Sequence, residues 1–260
     1  MSLWLLWLVG GLGAMGGAAA LVLALRRRER QLEQLLAAAD VRLESLQRQF
    51  ERFIPADVVE RLTDGSGRFV PERRQVTMLF ADLRGFTALC DRLDPDVTLR
   101  MLNDYFDRMT LAIGRHHGHV TEFVGDGLLA LFGALEPNPW QARDAVLAAL
   151  EMRAELERYN ASLRERGLPA LRFGVGIHGG EVIAGIIGTP GLSKYSVTGD
   201  PINVASRIEG LTSRFEVDVL VSEDVRAALD DRFRLVPMPP ATVKGKAEPI
   251  LSFHVEGFTA

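Results

Sequence analysis

Residues Val76–Thr87 read V-T-M-L-F-A-D-L-R-G-F-T: an apolar run, an aspartate, a short loop and a new apolar start. The run Gln75–Ala81 has the length and composition of a buried strand, which leaves Asp82 at the strand's end. Leu83–Thr87 then leads into a helix, whose free N–H groups can cradle phosphate oxygens. Downstream, Val124–Gly133 reads V-G-D-G-L-L-A-L-F-G. Its Gly125-Asp126-Gly127 separates two apolar runs, His119–Phe123 and Leu128–Phe132, and an Asp-Gly pair in that setting signals a β-hairpin. If strand and hairpin are neighbours, Asp82 and Asp126 project at one sheet edge. Two such carboxylates can hold Mg2+ or Mn2+ against a triphosphate, because these hard ions take oxygen ligands and keep phosphate in their shell. Taken singly, either aspartate has a plainer reading as a turn or cap residue.

Around these motifs the periodicity predicts helices over 86–93 and 95–117, and a long helix over 139–166 that stops before Gly167 and Pro169. Strands follow near 171–178 and 181–187, with a helix near 201–212 and short alternating elements to the end. Helices set between strands give an α/β class, a sheet covered by helices. Gly174–Gly179 spells G-x-G-x-x-G, yet it opens onto another strand where a dinucleotide site needs a helix. Asp82-Leu83-Arg84-Gly85 is not a GTPase switch, since the chain has no G-x-x-x-x-G-K-[ST] loop. His116, His117 and His119 lack the cysteine or carboxylate that would complete a zinc set. Cys90 reads as a packed thiol.

The chain has 260 residues, with 30 Lys+Arg against 34 Asp+Glu, a net charge of −4 and one cysteine. A disulfide scaffold is thereby excluded, and the mildly acidic balance argues against a nucleic-acid binder. Leu3–Leu25 carries no charge and is long enough to cross a bilayer. Arg26, Arg27, Arg28 and Arg30 follow it, which favours a cytoplasmic placement of the segment after it. A cleaved signal peptide would need its basic residues on the other side. The expectation is a single-pass protein of the cell (inner) membrane, with residues 1–25 as the transmembrane helix and small residues such as Gly13 and Gly17 supporting a dimer. So little of residues 1–25 could meet an external ligand that a partner membrane protein is expected to supply the signal. Leu36, Leu43 and Phe50, with Leu32, Ala39, Leu46 and Phe53, keep a seven-residue repeat, so residues 26–54 are expected to form a coiled coil. Residues 55–69, with Pro55 and Asp64-Gly65-Ser66-Gly67, read as a linker before a domain over 70–260.

Four stretches together carry a likeness: Val76–Thr87, Val124–Gly133, Gly176–Gly188 and Gly199–Glu209 (G-D-P-I-N-V-A-S-R-I-E). Residues 70–256 resemble the class III nucleotidyl cyclase domain, and Leu46–Arg61 resembles the helical segment that precedes such domains. The resemblance implies a ferredoxin-like palm of α+β type and two Mg2+ or Mn2+ ions per active site. It implies Asp82 and Asp126 as metal ligands, assisted by the carbonyl of Leu83. Gly85, Phe86, Thr87 and Lys244 are then expected at the triphosphate, Asn203 at the ribose, and Arg207 at the transition state. It also implies a homodimer, with the metal half of each centre from one chain and the Asn/Arg/Lys half from the other.

Two further positions concern the base. Glu122 stands where the family's adenylyl cyclases have lysine, and matches the glutamate of guanylyl cyclases. Ser196 stands where animal guanylyl cyclases usually have cysteine and adenylyl cyclases aspartate or threonine. An ionised carboxylate only accepts hydrogen bonds. Guanine offers it two adjacent donors, N1–H and the 2-amino group, whereas adenine presents a bare N1 lone pair. Ser196 can donate to guanine O6 or accept from adenine N6. The expected activity is conversion of GTP to cyclic GMP and pyrophosphate. ATP to cyclic AMP is the alternative, and a silent nucleotide-binding signalling domain the second.

Overall fold

The computed structural model describes residues 28, 34–37, 41–42, 71–189, 192–243 and 248–259. The chain divides into two compact units, Met1–Val59 and Glu60–Ala260. In the first, the described residues are helical and exposed, among them Leu36, a core position of the heptads. The other heptad core positions, the segment Leu46–Arg61 and the linker 55–69 lie outside the described residues. The expected single-pass membrane placement is corrected here. Among the described residues no helix is long and apolar enough to cross a membrane. The apolar run 3–25, on which that expectation rested, is outside them.

The second unit begins with β1 (Glu72–Leu83), α1 (Phe86–Cys90), α2 (Pro95–Arg115), β2 (His119–Val124), β3 (Gly127–Phe132), α3 (Gln141–Glu165) and β4 (Phe173–Thr189). These strands lie in the order β2-β3-β1-β4. That is the split βαβ arrangement of the ferredoxin-like palm, as expected. The chain continues through β5 (Leu192–Thr198), α4 (Asp200–Phe215), β6 (Val219–Ser222), α5 (Glu223–Ala227), β7 (Phe233–Pro237) and β8 (Ser252–Phe258). β6, β8 and β7 extend the sheet beyond β4, and β5 pairs with β4 off that path.

Local chemistry sets the helices. Asp94 caps α2 by accepting from the Asp96 amide at 2.9 Å, with Pro95 in the first helical position. Met101, Tyr105, Met109, Ala112 and Ile113 recur at helical spacing and are all fully buried. They meet α3 and one face of the sheet in the main core, where the Tyr159 hydroxyl donates to the Met101 carbonyl at 3.1 Å. Beyond α2, His116 Nε2 lies 2.8 Å from Glu151, and His117 Nδ1 lies 3.4 Å from Asp144. The histidines thus belong to separate carboxylate pairs. Half-buried Cys90 packs against the main core.

Strand β4 departs from the sequence reading. The runs 171–178 and 181–187 are one strand, and Gly179-Gly180 does not interrupt it. β5, which follows after a tight reversal, was not anticipated at all. Along β4 the side chains alternate: Phe173, Val175 and Ile177 enter the main core, whereas Gly174 and Gly176 lie beneath α4. A Cβ on Gly176 would stand 2.1 Å from the Glu209 amide nitrogen and 2.6 Å from the Ala205 carbonyl oxygen. Gly174 and Gly176, set aside in the sequence as a false dinucleotide fingerprint, therefore let a helix backbone rest directly on a strand. Val204, Ile208 and Leu211 of α4 pack with Leu220 and Ala241 in a second, smaller core.

One ion cluster ties the layers together behind this contact. Arg153 of α3 donates to Asp218 through Nε at 2.5 Å and Nη2 at 2.9 Å, and to the Val255 carbonyl at 2.7 Å. His254 Nε2 approaches Asp218 to 3.2 Å, and the Asp218 carbonyl accepts from the Val175 amide at 2.7 Å. Burial opposes ionisation of Asp218, but Arg153, joined by His254, outweighs it and holds the carboxyl below its ordinary value.

Gly176→Ala should lower unfolding stability by about 1–3 kcal/mol, because the clash is with backbone rather than with a yielding side chain. A melting temperature within a degree or so of wild type would contradict that. For Asp218 the folded pKa lies below the unfolded one, so its stabilisation is present above about pH 4 and fades as pH falls through the folded value. Asp218→Asn should therefore cost about 1–3 kcal/mol at neutral pH. In denaturant titrations that gap should close in acid.

Candidate active site

β1 lies centrally, paired antiparallel to β3 on one side and to β4 on the other. Asp82 falls in the last rungs of this ladder, opposite Gly174 of β4, while the preceding Ala81 faces Leu128 of β3. Val124 pairs with Gly127, so the loop between β2 and β3 consists of Gly125 and Asp126. The sequence signal had centred the turn on Asp-Gly. Instead Gly125 takes the left-handed φ of 63°, as a two-residue hairpin loop with glycine in its first place requires. Gly127 begins β3, and a Cβ there would stand 2.9 Å from Asp82 Oδ1 and 3.0 Å from the Ala81 carbonyl oxygen. The Asp82 carboxylate thus lies directly against the base of the hairpin that carries Asp126.

The expected juxtaposition of Asp82 and Asp126 is present. Burial, then repulsion from Asp126, raises the Asp82 pKa, and a hydrogen bond from the Leu83 amide partly opposes this. A third carboxylate, absent from the sequence reading, shares the corner. Glu209 is pushed up to about 7, by burial first and then by Asp82, with Asp126 adding and Arg84 opposing. The field extends into the core: burial, followed by Asp82, Asp126 and Glu209, also raises the pKa of fully buried Tyr105. Clustered anions facing each other at a strand end suit a hard divalent cation. Among the described residues, no group of three or more His, Cys, Asp and Glu is placed to hold a metal ion. Two carboxylates and a backbone carbonyl leave positions for phosphate oxygens.

After Leu83 the chain turns sharply. Gly85 takes a φ of 68° and α1 starts at Phe86. Phe86 is buried in the main core, whereas the flanking Gly85 and Thr87 are exposed. Arg84 is anchored away from the corner's mouth: its amide donates to the Arg172 carbonyl at 2.7 Å, and its Nη2 donates to the Val217 carbonyl just beyond α4.

The remaining predicted residues lie elsewhere. Asn203 is exposed and Arg207 half-buried on α4, with Arg207 Nη1 buried and without a hydrogen-bond partner. The buried stripe of α4 (Val204, Ile208, Leu211 and Thr212) separates that flank from Glu209. Arg207 is therefore directed away from its own chain's aspartates. Glu122 is half-buried on β2 opposite Leu129, in the row that continues through Phe80 to Gly176. Ser196 is buried on β5 opposite Gly185, nine residues further along β4, so the two do not share a row. Lys244 lies outside the described residues.

A sequence model of the adenylate and guanylate cyclase catalytic domain matches residues 70–257. The chain belongs to this family. Adenylate cyclase 1 of Rhizobium meliloti is 31% identical over 80% of this chain and 32% of its own length. The adenylate cyclase of Anabaena cylindrica is 33% identical over 80% of this chain and 42% of its own length. The chain thus spans about a third to two-fifths of those curated relatives. Among solved structures, that of the guanylyl cyclase Cya2 is 34% identical with a TM-score of 0.69, covering 73% of this chain and 95% of that one. Names of both kinds occur among the relatives, and the family alone does not choose the purine.

Gly127→Ala should displace the Asp82 carboxylate, since Gly127's neighbours include backbone that cannot give way. Mn2+ affinity measured by calorimetry should fall about tenfold or more. Unaltered binding in the folded variant would show that the hairpin does not set the carboxylate's position.

Proposed function

We propose that this chain is a guanylate cyclase, converting GTP to 3′,5′-cyclic GMP and pyrophosphate at a centre shared by two copies. The paired carboxylates of Asp82 and Asp126 carry this reading. With the Leu83 carbonyl they form the donor set for Mg2+ or Mn2+, two ions per centre, in a family that is generally divalent-metal dependent. Bound there, divalent cations supply charge neutralisation for the polyphosphate and polarisation of the ribose hydroxyl. In the reaction the 3′-oxygen forms a bond to the α-phosphorus, the bond from the α-phosphorus to the bridging oxygen breaks with its electron pair leaving on pyrophosphate, and the 3′-proton passes to solvent or to the released pyrophosphate. Asn203 orients the ribose, and Arg207 meets the charge that develops on the transferring phosphoryl group. Backbone groups of Gly85, Phe86 and Thr87, together with Lys244, hold the triphosphate.

The two flanks of α4 support a homodimer. Arg207 is turned from its own aspartates and has a buried, unpartnered Nη1, so a second chain is the natural source of the metal half it serves. The exposed Phe123, Val124, Ile186 and Ile187 offer apolar surface for such pairing. Heptad pairing over 26–54 would bring the two domains together, and the exposed Leu36 is consistent with it.

Preference for GTP rests on Glu122, whose carboxylate can accept from guanine N1–H and the 2-amino group together. Facing adenine it would meet a lone pair, leaving a buried group unsatisfied. Ser196 suits either base, and the adenylate cyclase names among the relatives give the ATP reading its support.

With Mn2+ and either nucleotide, the purified chain should use GTP over ATP by about tenfold or more. Cyclic AMP without cyclic GMP would overturn the choice of purine and leave the cyclase reading standing. Asp82→Ala and Arg207→Ala should each lose about 10³-fold in rate. An equal mixture of the two variants should regain turnover, since every mixed pair holds one complete centre. Failure to regain it with an active wild type would refute the shared site.

A further inference from the structure

Glu209 closes the motif Gly199–Glu209 but has no role in the sequence reading or the proposed mechanism, yet α4 directs this residue at the aspartate corner of its own chain. A Cβ on Gly174, the rung opposite Asp82, would stand 2.7 Å from Glu209 Oε1. The Glu209 backbone is equally constrained, lying over Gly176. Thr212 Oγ1 would be 2.1 Å from the same Gly174 Cβ position. That threonine is fully exposed to no solvent, and its hydroxyl has no hydrogen-bond partner. An unsatisfied buried hydroxyl thus lies beside a half-buried carboxylate, on the rung that faces Asp82. Arg84, two residues after Asp82 and anchored to the Val217 carbonyl past the end of α4, is the cation that opposes Glu209.

We propose that Glu209 is a positioning residue of the metal corner, seating the Asp82 end of β1 against α4 and adding a third negative charge behind the two metal-binding aspartates. The proposal rests on the reading of Asp82 and Asp126 as the cation ligands. Because Asn203 and Arg207 occupy the opposite flank of the same helix, Glu209 also joins the metal half of one centre to the arginine half of the other. A carboxylate in this place acts through the ligands rather than by touching substrate, so its effect belongs to cation affinity before turnover.

Mn2+ alone, titrated into the nucleotide-free full chain and followed by calorimetry and by the electron spin resonance of free Mn2+, tests this. Glu209→Gln should weaken Mn2+ binding about tenfold. In the assay it should raise the Mn2+ needed for half-maximal turnover, with a smaller change in the KM for GTP. Glu209→Asp, which keeps the charge on a shorter stem, should recover part of the affinity. Mn2+ affinity within twofold of wild type in folded Glu209→Gln would overturn the proposal. Should that variant not fold, wild-type affinity in folded Glu209→Ala would do so equally. If Asp82→Asn itself binds Mn2+ as wild type does, the assignment of the aspartates fails, and that result is distinct from a failure at Glu209.

Discussion

The closeness of α4 to β4 is the constraint on which the site depends. With glycine at 174 and 176, the helix backbone comes to rest on the strand, and its azimuth is fixed as well as its distance. A helix held off by side chains could rotate about its axis to improve packing elsewhere. One seated on a bare strand has its flanks assigned, so Glu209 faces the end of the β1–β4 ladder and Arg207 faces away. The second core, built on Val204, Ile208 and Leu211, reinforces the same azimuth. Functional geometry at both flanks is therefore inherited from one contact that no reacting group makes.

The electrostatics of the corner run against folding. Asp82, Asp126 and Glu209 share one end of the sheet, two of them with raised pKa values, and burial is the leading cause in each case. Such an arrangement disfavours the charged forms that a cation site needs. Elsewhere this fold treats its ion pairs differently: Asp218 is matched by Arg153 and His254, and buried Glu155 lies within salt-bridge distance of Arg108, Arg115 and Arg158. Charges that serve the scaffold are paired, while those in the corner are left to repel. Perturbed groups whose mutual repulsion is only partly offset, here by Arg84 beside Glu209, mark a candidate site for a ligand that brings positive charge.

Much of this was legible in the residues. The apolar run before Asp82 and the glycines around Asp126 place both carboxylates at one edge, and α2 is readable from Asp94-Pro95 and its buried repeat. What escaped the sequence has a common physical cause. Gly179-Gly180 reads as a break by local propensity, but the packing partners along β4 decide the matter, and β5 went unread because its run was not set off from β4. Gly125 rather than Gly127 takes the positive φ, a choice set by the register of β2 against β3 and invisible in G-D-G alone. Glu209 was hidden because its role arises from a rung of β4 distant in sequence, and nothing in R-I-E states which flank of the helix will face which strand.

A helix whose two flanks address two different centres has a consequence for how a paired cyclase behaves. In a dimer of the kind proposed, any displacement of the Asn203/Arg207 flank of one α4 by a bound nucleotide would bear, through Glu209 on the same helix, on the aspartate corner of the other centre. Arg84, anchored past the end of α4, follows any such movement into the loop that holds Asp82. Coupling between such centres would then run through a packed, glycine-seated element rather than through solvent or a flexible loop. Coupling of this kind is reciprocal: whatever one occupied centre does to the other's affinity, the other returns in equal measure.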